Sequence, residues 1–544
     1  MKKHFNIYII LTAVAAIFLF ACKKSFLEAE PYSFIETDHF YKTAKDAEAA
    51  LTGCYNMLNS EEHGRMFGET MLHILNTGND ECVTGTGIVN ENTTFGIAST
   101  TAADASLKGV WAALYQGVNR CNHLIAKIDP VEMDVVRKEE IKAEAYFLRG
   151  FYHMILAQMF GDIPVNIEPD PEFFQPRAPL QEVYTQVLSD FTKAATVLPH
   201  RATIAGRANK WSAEGFRAKV FAYLAACKVN GTGTALGSDL NKFDWVNAAS
   251  MYDSVHAVAS RIIASGGFKL TEKYNYLFRE NTRQWQYEEC LFTVEGTSSA
   301  TNGVYLRLGN AWLPWGNINT RGGASSKWFV PTAEVYTRYN DADIRRKHNL
   351  TGAIPNTNTA PVEIIEGVRY YVPAAAVLSV SNYGIAKYRY RDPASKSIPP
   401  FLSDGALTLL RYADILLLDA EARFFKGDES GARALLLPIR QRAVFGTTTN
   451  VSVLTTAYFK PDFMEELLAE RSRELCFELG IRRFDLIRFA KHTTAIQALK
   501  LTGSYHNEHS VAQLKTNWQP YKIWFPVPSA EIDLNQSLKQ NPGF

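Results

Sequence analysis

Residues 407–443 read LTLLRYADILLLDAEARFFKGDESGARALLLPIRQRA, and this stretch decides how the rest of the chain is interpreted. From Leu409 onward apolar side chains recur at helical spacing, which predicts a helix with one buried stripe. The stripe positions are Ala413, Leu416, Ala420 and Phe424. Gly427 tolerates the left-handed conformation that ends a helix, and Asp428 or Ser430 can cap the next one.

The second helix of the stretch has its own apolar positions. These are Ala432, Leu435, Leu436 and Ile439. Pro438 lies among them, so the helix is expected to kink or end early there. Small side chains at Ala413 and Ala420 allow another helix to approach closely. The stretch therefore predicts an antiparallel helix hairpin, the unit from which helical repeat proteins are built, although taken alone it fits many α-rich proteins.

The polar residues of the first helix are more specific. Arg411-Tyr412-Ala413-Asp414 and Asp419-Ala420-Glu421-Ala422 resemble the RYAD…AEA helix of the SusD/RagB family, which are nutrient-binding outer-membrane lipoproteins of Bacteroidetes-type bacteria. Other blocks resemble the family as well. They are Glu144–Tyr152 with its stop Phe160-Gly161-Asp162-Ile163-Pro164, the charged block Glu470–Arg488, and the C-terminal Gln540-Asn541-Pro542-Gly543-Phe544.

Blocks of this kind run from Cys22 to Phe544, which argues for one domain over several joined modules. The resemblance implies a single SusD-like domain over residues 46–544. Its fold class is mainly α, with tetratricopeptide-like helix hairpins forming a scaffold. A loop-rich region with small strands, at about residues 285–400, is expected to pack on that scaffold.

The composition is that of an ordinary globular protein: 47% of the 544 residues are hydrophobic, 21% are charged, and the formal net charge is +1. Such a chain can bury a large core. The chain has no basic excess that would indicate a nucleic-acid partner. It also has no polybasic helix that would indicate binding to a membrane surface. Most other classes of function stay open on composition alone.

The N-terminus has the pattern of an export signal. Lys2 and Lys3 precede a short apolar run that ends at Ala21, which predicts a signal peptide over residues 1–21. A small residue directly before Cys22 resembles the lipoprotein signal, in which the cysteine is acylated and becomes the new N-terminus. The alternative is an uncleaved membrane anchor.

Residues 22–45 are then interpreted as a tether between the lipid and the domain. The resemblance implies an outer-membrane protein, anchored by lipid and facing the cell surface. The chain departs from the family at Lys23 and Lys24, since family members often carry acids beside the cysteine.

Periodicity predicts several further elements. The predicted helices are Ala47–Leu58, Val183–Leu198, Lys210–Val229 and Trp245–Ser265, and the predicted strands include Cys290–Val294 and Val368–Val372. Residues 61–106 are interpreted as a long loop because Gly, Thr, Asn and Asp dominate there. A loop of that length in a compact domain is usually functional or disordered.

Six cysteines remain after Cys22. They are Cys54, Cys82, Cys121, Cys227, Cys290 and Cys476. An exported protein permits disulfides, but most of these residues fall within helix-like or strand-like patterns, where cysteine acts as a small buried hydrophobe. No Cys or His cluster has the spacing of a metal site. Free, buried thiols are therefore expected, with no metal and no cofactor.

An acidic stripe recurs every fourth residue in the charged block. Its members are Glu466, Glu470, Glu474 and Glu478, answered by Arg471, Arg473, Arg482 and Arg483. A dimetal carboxylate site would need histidines on facing helices, and the stripe contains none. A salt-bridged clamp between chain segments is the better interpretation. Glu144 and Arg149 are likewise assigned to structural ion pairs between helices.

Candidate ligand contacts lie in an aromatic segment within residues 305–321, with two residues of the early loop. They are Tyr305, Trp312, Trp315, Asn317 and Arg321, together with Asn79 and Asp80. Flat aromatic faces can cover the C–H faces of sugar rings, while amide and guanidinium groups bond to the hydroxyls. The alternative is that the tryptophans are core or interface residues.

The resemblance implies a binding protein without catalytic activity. It would capture an oligosaccharide and pass it to a SusC-like, TonB-dependent barrel transporter in the same membrane. An oligopeptide ligand in the same role is the first alternative, because the RagB branch of the family is linked to peptides. A surface glycoside hydrolase is the second, because the two carboxyl groups of such an enzyme need not be neighbours in sequence.

Overall fold

A computed structural model describes residues 40–59, 66–85, 93–172, 174–236, 241–279, 282–297, 328–351, 362–365, 368–371, 384–388, 405–501 and 508–544. The predicted signal peptide and Cys22 lie outside these residues. Helices dominate the described chain, as the sequence predicts. Within the described ranges no helix is both long enough and apolar enough to cross a bilayer.

The helices of the first half form a layered stack. They are α1 Ala44–Asn56, α2 Thr70–Asn76, α3 Thr93–Gly96, α4 Ala105–Lys127, α5 Val135–Phe160, α6 Leu180–Val197, α7 Lys210–Val229 and α8 Ala248–Ala264. From α4 to α8 each helix packs against the next one along the chain, which confirms the predicted scaffold of helix hairpins. Local sequence fixes where these helices begin: the Asn209 side chain accepts hydrogen bonds from the backbone N–H groups of Trp211 and Ser212 at the start of α7.

The helices of the second half are shorter. They are α9 Arg283–Glu289, α10 Ala333–Thr337, α11 Ile344–Asn349, α12 Tyr412–Phe425, α13 Glu429–Ala434, α14 Leu437–Arg442, α15 Val451–Tyr458, α16 Phe463–Leu475, α17 Ile481–Arg488, α18 His492–Gln497, α19 Glu508–Asn517 and α20 Ser529–Leu534. Helix α12 joins the two halves, because it packs against α7 and α8 of the first half and against α13 and α16 of the second.

The hairpin around α12 agrees with its prediction in most respects. Gly427 has a φ of +86°, and the Asp428 carboxylate accepts a hydrogen bond from the Gly431 N–H at 2.8 Å. The buried stripe of α12 and the facing positions of α13 and α14 share one apolar cluster. Its members include Ala413, Leu416, Ala420, Ala432, Leu436 and Ile439. The helix breaks before Pro438, between the end of α13 and the start of α14.

The strands are short and antiparallel. They are β1 Cys82–Thr84, β2 Cys290–Glu295, β3 Phe329–Pro331, β4 Leu350–Thr351, β5 Val362–Ile365, β6 Val368–Tyr371, β7 Gly384–Ile385 and β8 Ala406–Arg411. They pair as four two-stranded ribbons: β1 with β3, β2 with β8, β4 with β7, and β5 with β6. Strands β2 and β6 confirm the strands predicted at Cys290–Val294 and Val368–Val372.

The first residues of the deciding stretch form a strand, so the helical prediction from Leu409 is wrong there. Residues 407–411 lie in β8 and pair with β2, and the helix begins only at Tyr412. Every residue of β8 is buried. A run that is buried on both faces has no polar side, so helical and strand spacing cannot be told apart by periodicity.

The prediction of one long loop over residues 61–106 is also wrong. Its described part contains α2, β1 and the short α3. All seven residues of α2 are buried, including polar His73 and Asn76. A fully buried helix has no amphipathic pattern, which is the signal on which the prediction depended.

The cysteines behave as predicted. All six that the structure describes are free and buried. Burial raises the pKa of the Cys227 thiol to about 12, since the thiolate is poorly solvated inside the core. These side chains are packing residues.

Candidate ligand-binding site

The predicted aromatic segment lies outside the described residues, but the structure shows where it starts and ends. Tyr305, Trp312, Trp315, Asn317 and Arg321 all fall between residues 298 and 327. On the N-terminal side the chain leaves the β2–β8 ribbon, where the Gly296 N–H donates to the Gly405 carbonyl at 2.9 Å. On the C-terminal side it enters β3.

Residues 86–92 also lie outside the described residues. This segment begins next to the point where the aromatic segment ends. Thr84 pairs with Phe329 at the end of the β1–β3 ribbon, and the Gly85 N–H donates to the Trp328 carbonyl at 2.9 Å. The Thr84 hydroxyl donates to the Thr93 carbonyl at 3.2 Å, so both ends of residues 86–92 lie at this ribbon. The ribbon therefore brings together Gly85 and Trp328, which are 243 residues apart in sequence and from which the two segments begin and end.

The ribbon is supported by aromatic packing. The His73 ring of α2 lies 4.2 Å from the Phe329 ring and 5.0 Å from the Trp328 ring, measured between centroids. Phe329 is buried and Trp328 is half-buried. This packing fixes the base of the aromatic segment to the helical core.

Asn79 and Asp80 lie beneath the other end of the ribbon, and both are buried. The Asn79 amide oxygen accepts hydrogen bonds from the backbone N–H groups of Glu81 at 2.8 Å and Cys82 at 3.2 Å, closing the turn before β1. The Asn79 amide nitrogen donates to the Asn76 carbonyl at 3.1 Å. These contacts give Asn79 a structural role, and the geometry offers no support for its predicted contact with a ligand.

Asp80 forms ion pairs with two arginines. Arg482 binds it through two bonds of 2.8 and 2.6 Å, and Arg338 binds it at 2.5 Å. Burial alone would raise the pKa of Asp80, but the charges of Arg338 and Arg482 outweigh it and hold that pKa well below its ordinary value. The carboxylate is thus charged and satisfied within the protein, so the geometry does not support its predicted ligand contact either.

The acidic stripe is buried and paired with cations, as the clamp prediction requires, but most partners differ from the predicted ones. Arg473 pairs with Glu470 at 2.7 Å, as predicted. The other partners come from distant segments: Arg345 on Glu470 and Glu474, Arg411 on Glu474 and Glu478, Arg440 on Glu466 and Glu470, Arg442 on Glu474, Arg433 on Glu466, and Lys387 on Glu478.

Three arginines predicted for the clamp contact other groups. Arg471 pairs with Asp414 at 2.9 Å and Asp485 at 2.7 Å, and Arg482 pairs with Asp80. Arg483 donates to the backbone carbonyls of Lys522 and Ile523. The tertiary structure determines the partners of these three arginines, and sequence spacing does not reveal them.

Three carboxylates of the stripe, Glu470, Glu474 and Glu478, have lowered pKa values, which is the wrong direction for a glycosidase acid. Burial opposes the ionisation of Glu470, but the charges of Arg473, Arg345 and Arg440 hold its pKa well below the usual range. A general acid needs a raised pKa. In the part of the chain that the structure describes, no group of three His, Cys, Asp or Glu side chains is arranged to hold a metal ion.

Glu144 and Arg149 have the predicted structural role, although they do not pair with each other. Glu144 pairs with Arg207 at 3.3 Å, before α7, and accepts a hydrogen bond from the Tyr55 hydroxyl of α1 at 2.7 Å. Arg149 pairs with Asp190 of α6 at 2.7 Å. Each residue therefore connects α5 to a different neighbour.

Comparison with known proteins agrees with this architecture. A family model described as "SusD family" matches residues 267–544, and one described as "Starch-binding associating with outer membrane" matches residues 25–223. SusD-like protein P2 of Formosa agariphila is 23% identical over an alignment of 568 residues that covers 100% of both chains. Starch-binding protein SusD of Bacteroides thetaiotaomicron is 25% identical over 444 residues, covering 74% of this chain and 72% of SusD.

Solved structures of SusD homologs have the same fold as this chain. The crystal structure of a SusD homolog from Bacteroides thetaiotaomicron superposes with a TM-score of 0.74 at 23% identity, covering 95% of this chain and 100% of that one. One family model, over residues 267–544, matches just over half of the chain. The chain belongs to the SusD family.

Proposed function

We propose that this protein is a lipid-anchored outer-membrane protein that faces the cell surface, binds an oligosaccharide, and delivers it to a SusC-like, TonB-dependent barrel transporter. The observation that carries the proposal is the family match across the chain, which includes a model described as starch-binding and outer-membrane-associated. The lowered pKa values of Glu470, Glu474 and Glu478 argue against a general acid among these three residues, which favours binding over hydrolysis there.

The ligand contacts are proposed for the aromatic segment alone. Tyr305, Trp312, Trp315, Asn317 and Arg321 are the candidates, on a segment that starts and ends at ribbons packed on the helical core. Loops on a rigid scaffold are where binding residues usually lie. Asn79 and Asp80 are left out, because their polar atoms are engaged within the protein.

The test is a titration of purified protein against a panel of neutral and acidic oligosaccharides and oligopeptides. Trp312→Ala and Trp315→Ala should each weaken saccharide binding several-fold, because stacking on one ring contributes about 0.5–1.5 kcal/mol beyond its buried area. Trp285→Ala is the matched control, since Trp285 is exposed on α9 and stacks on Tyr276. Equal affinities in all variants would show that the site lies elsewhere. If the protein bound peptides but no saccharide, the ligand would be an oligopeptide.

The anchor is proposed at Cys22, followed by the tether 22–45 and one domain over residues 46–544. A single apolar cluster that includes both Ala47 and Leu538 supports one domain. Cys22→Ala should leave the protein unacylated and release it from the membrane fraction, while Lys24→Gln should leave it anchored. A Cys22→Ala protein that still sediments with membranes would contradict the lipid anchor.

A further inference from the structure

An open cleft of about 770 Å³ lies beside Arg338 and Arg482, the two arginines that pair with Asp80. Its walls are the chain segment 337–340 and parts of helices α15, α16, α17 and α18. It is close to the end of the β1–β3 ribbon where Cys82 pairs with Pro331, and the aromatic segment joins the opposite end. The volume is within the range of about 300–1,000 Å³ that is typical of ligand pockets.

Cations predominate among the charged residues that line the cleft. They are Arg338, Lys460, Arg473, Arg482 and Lys491, against the single acid Glu465. The carboxylates of Asp80 and Glu470, which pair with the three arginines, are buried behind them. Asp80, Glu81 and Glu470 therefore balance the charge of the three arginines of this wall, and Lys460 and Lys491 carry the positive charge that an entering ligand meets.

Two arginines of this wall are fixed in position. Asp80 binds Arg482 through two bonds and Arg338 through one, and Arg338 also donates to the Ser472 hydroxyl at 2.8 Å. A guanidinium that is already ordered loses little side-chain freedom when it binds an anion. The same geometry explains why Asp80 is buried here although it does not contact the cleft itself.

Two lysines are available to a ligand. Lys491 is exposed, and no acid or carbonyl of the described chain contacts its ammonium group. Lys460 is also exposed, and the oxygen of Glu465 lies 3.7 Å from its ammonium nitrogen. The Lys460–Glu465 pair is exposed and therefore weak, so a ligand can replace it at little cost.

The cleft also has an aromatic surface. Phe459 lines it with 57% of its surface exposed, although the Arg433 guanidinium lies 4.6 Å from the ring centroid. An exposed flat ring beside a cation suits a sugar ring that carries a negative group, because the ring covers the C–H face while the cation binds the anion.

We propose that this cleft binds an acidic saccharide, one that carries carboxylate or sulfate groups on its sugar rings. The inference rests on the proposed saccharide-binding function and adds the charge of the ligand and a second binding surface. The Lys460 and Lys491 ammonium groups contact the acidic groups, Arg338 and Arg482 line the cleft in fixed positions, and Phe459 stacks on a ring.

The experiment titrates the purified mature protein with tetragalacturonate, a sulfated tetrasaccharide, neutral maltotetraose and hexaglutamate. At least one of the two acidic saccharides should bind more tightly than maltotetraose, with an affinity that falls as salt is added. The double variant Lys460→Gln, Lys491→Gln should lose roughly fivefold or more of that affinity. The matched control is Lys45→Gln, Lys539→Gln, which removes the same charge from two exposed lysines outside the cleft and should bind like wild type.

Each other outcome has a defined meaning. Equal affinity of the two double variants for acidic saccharides would overturn the cleft as their site. Hexaglutamate binding more tightly than any saccharide, through the same two lysines, would identify an acidic peptide as its ligand and overturn the proposal. Neutral saccharide binding that depends on Trp312 or Trp315, without affinity for acidic ones, would overturn this inference and leave the proposed function intact. Absence of any saccharide binding would overturn both.

Discussion

Arg345 shows how single residues of this chain use buried charge. Its side chain is fully buried and binds three carboxylates: Asp343 at 2.7 Å and Glu470 and Glu474 at 2.9 Å each. Arg345→Met would remove the one cation that these three acids share and leave them partly unpaired. Breaking a buried ion pair in this way costs roughly 3–5 kcal/mol, which we expect as the loss in the free energy of unfolding, measured in urea.

The control for this prediction is an exposed ion pair. Lys142 pairs with Asp129 at 2.7 Å, and 64% of the Asp129 side chain is exposed. Lys142→Met should therefore change the free energy of unfolding by about 0–1 kcal/mol. If both variants lost the same small amount, the buried network would not be a source of stability.

The residue types alone cannot tell a ligand contact from a structural ion pair. Asn79 and Asp80 are polar residues in a polar stretch, which is why they are predicted as ligand contacts. In the structure the same amide closes a turn and the same carboxylate binds two arginines. The role of Asp80 depends on Arg338 and Arg482, which lie more than 250 and more than 400 residues away in sequence, respectively. Local sequence contains no signal for such partners.

Among the elements, the α12–α13 hairpin gives a direct test of packing. Ala413 and Ala420 are fully buried, and they share an apolar cluster with residues of α13, α14 and α16. Ala413→Leu or Ala420→Leu adds carbon atoms to a close-packed region and should cost roughly 1–3 kcal/mol of unfolding free energy. Ligand affinity of the folded protein should stay unchanged.

The same hairpin supplies the control. Ala434 lies at the end of α13 and is exposed, so Ala434→Leu adds the same atoms where there is room. Its melting temperature should stay near that of wild type. Normal melting of Ala420→Leu together with a selective loss of binding would instead place α12 at a ligand site.

Elements with one polar face are predicted well from this sequence, and fully buried ones are not. Helix α7 has the predicted bounds, Lys210–Val229, because its apolar face alternates with charged residues and Asn209 caps it. Helix α2 and strand β8 are buried on all sides, so their sequences show no periodicity that could separate helix from strand or loop. Their neighbours, rather than their own patterns, decide their structure.

At the scale of the whole molecule, the family architecture could be predicted because its motifs are short, local and spread along the chain. The candidate cleft could not be predicted from the sequence. Its lysines, arginines and Phe459 come from segments between residues 337 and 498, and each is unremarkable in its own stretch. Only the packing of α15, α16, α17 and α18 brings them together.

The stability of the whole molecule should depend on pH in two separate ranges. Desolvation and the charge of Arg149 together lower the pKa of the buried His153 to about 3. Desolvation and the charge of Arg483 also hold the pKa of buried His492 well below normal. The carboxyls of Asp80 and Glu470 have lowered pKa values because of their arginines, despite the opposing effect of burial.

The sign follows from comparing the folded and unfolded states. An unfolded histidine binds a proton below pH about 6.5, whereas His153 and His492 stay neutral in the folded protein. The stability that the two neutral rings contribute is therefore fully present above that pH and is lost as the pH falls. The two carboxyls are ionised in the folded state, so their contribution is lost only below pH about 4, towards their folded pKa values. Of these four groups, only the two histidines change their protonation between pH 6 and 5.

Between pH 6 and 5 we expect these two histidines to lower the free energy of unfolding by roughly 2–3 kcal/mol, because each of them binds a proton only in the unfolded chain. His153→Leu removes one of these sites and should reduce the fall by about half. His509→Gln is the control: its side chain is exposed at the start of α19, and the variant should retain the slope of wild type. Urea unfolding of the three proteins at pH 7, 6 and 5 measures these slopes. An unchanged slope in His153→Leu would mean that His153 takes up its proton in the folded protein as well, which would require a partner or a water path to its ring inside the helical core.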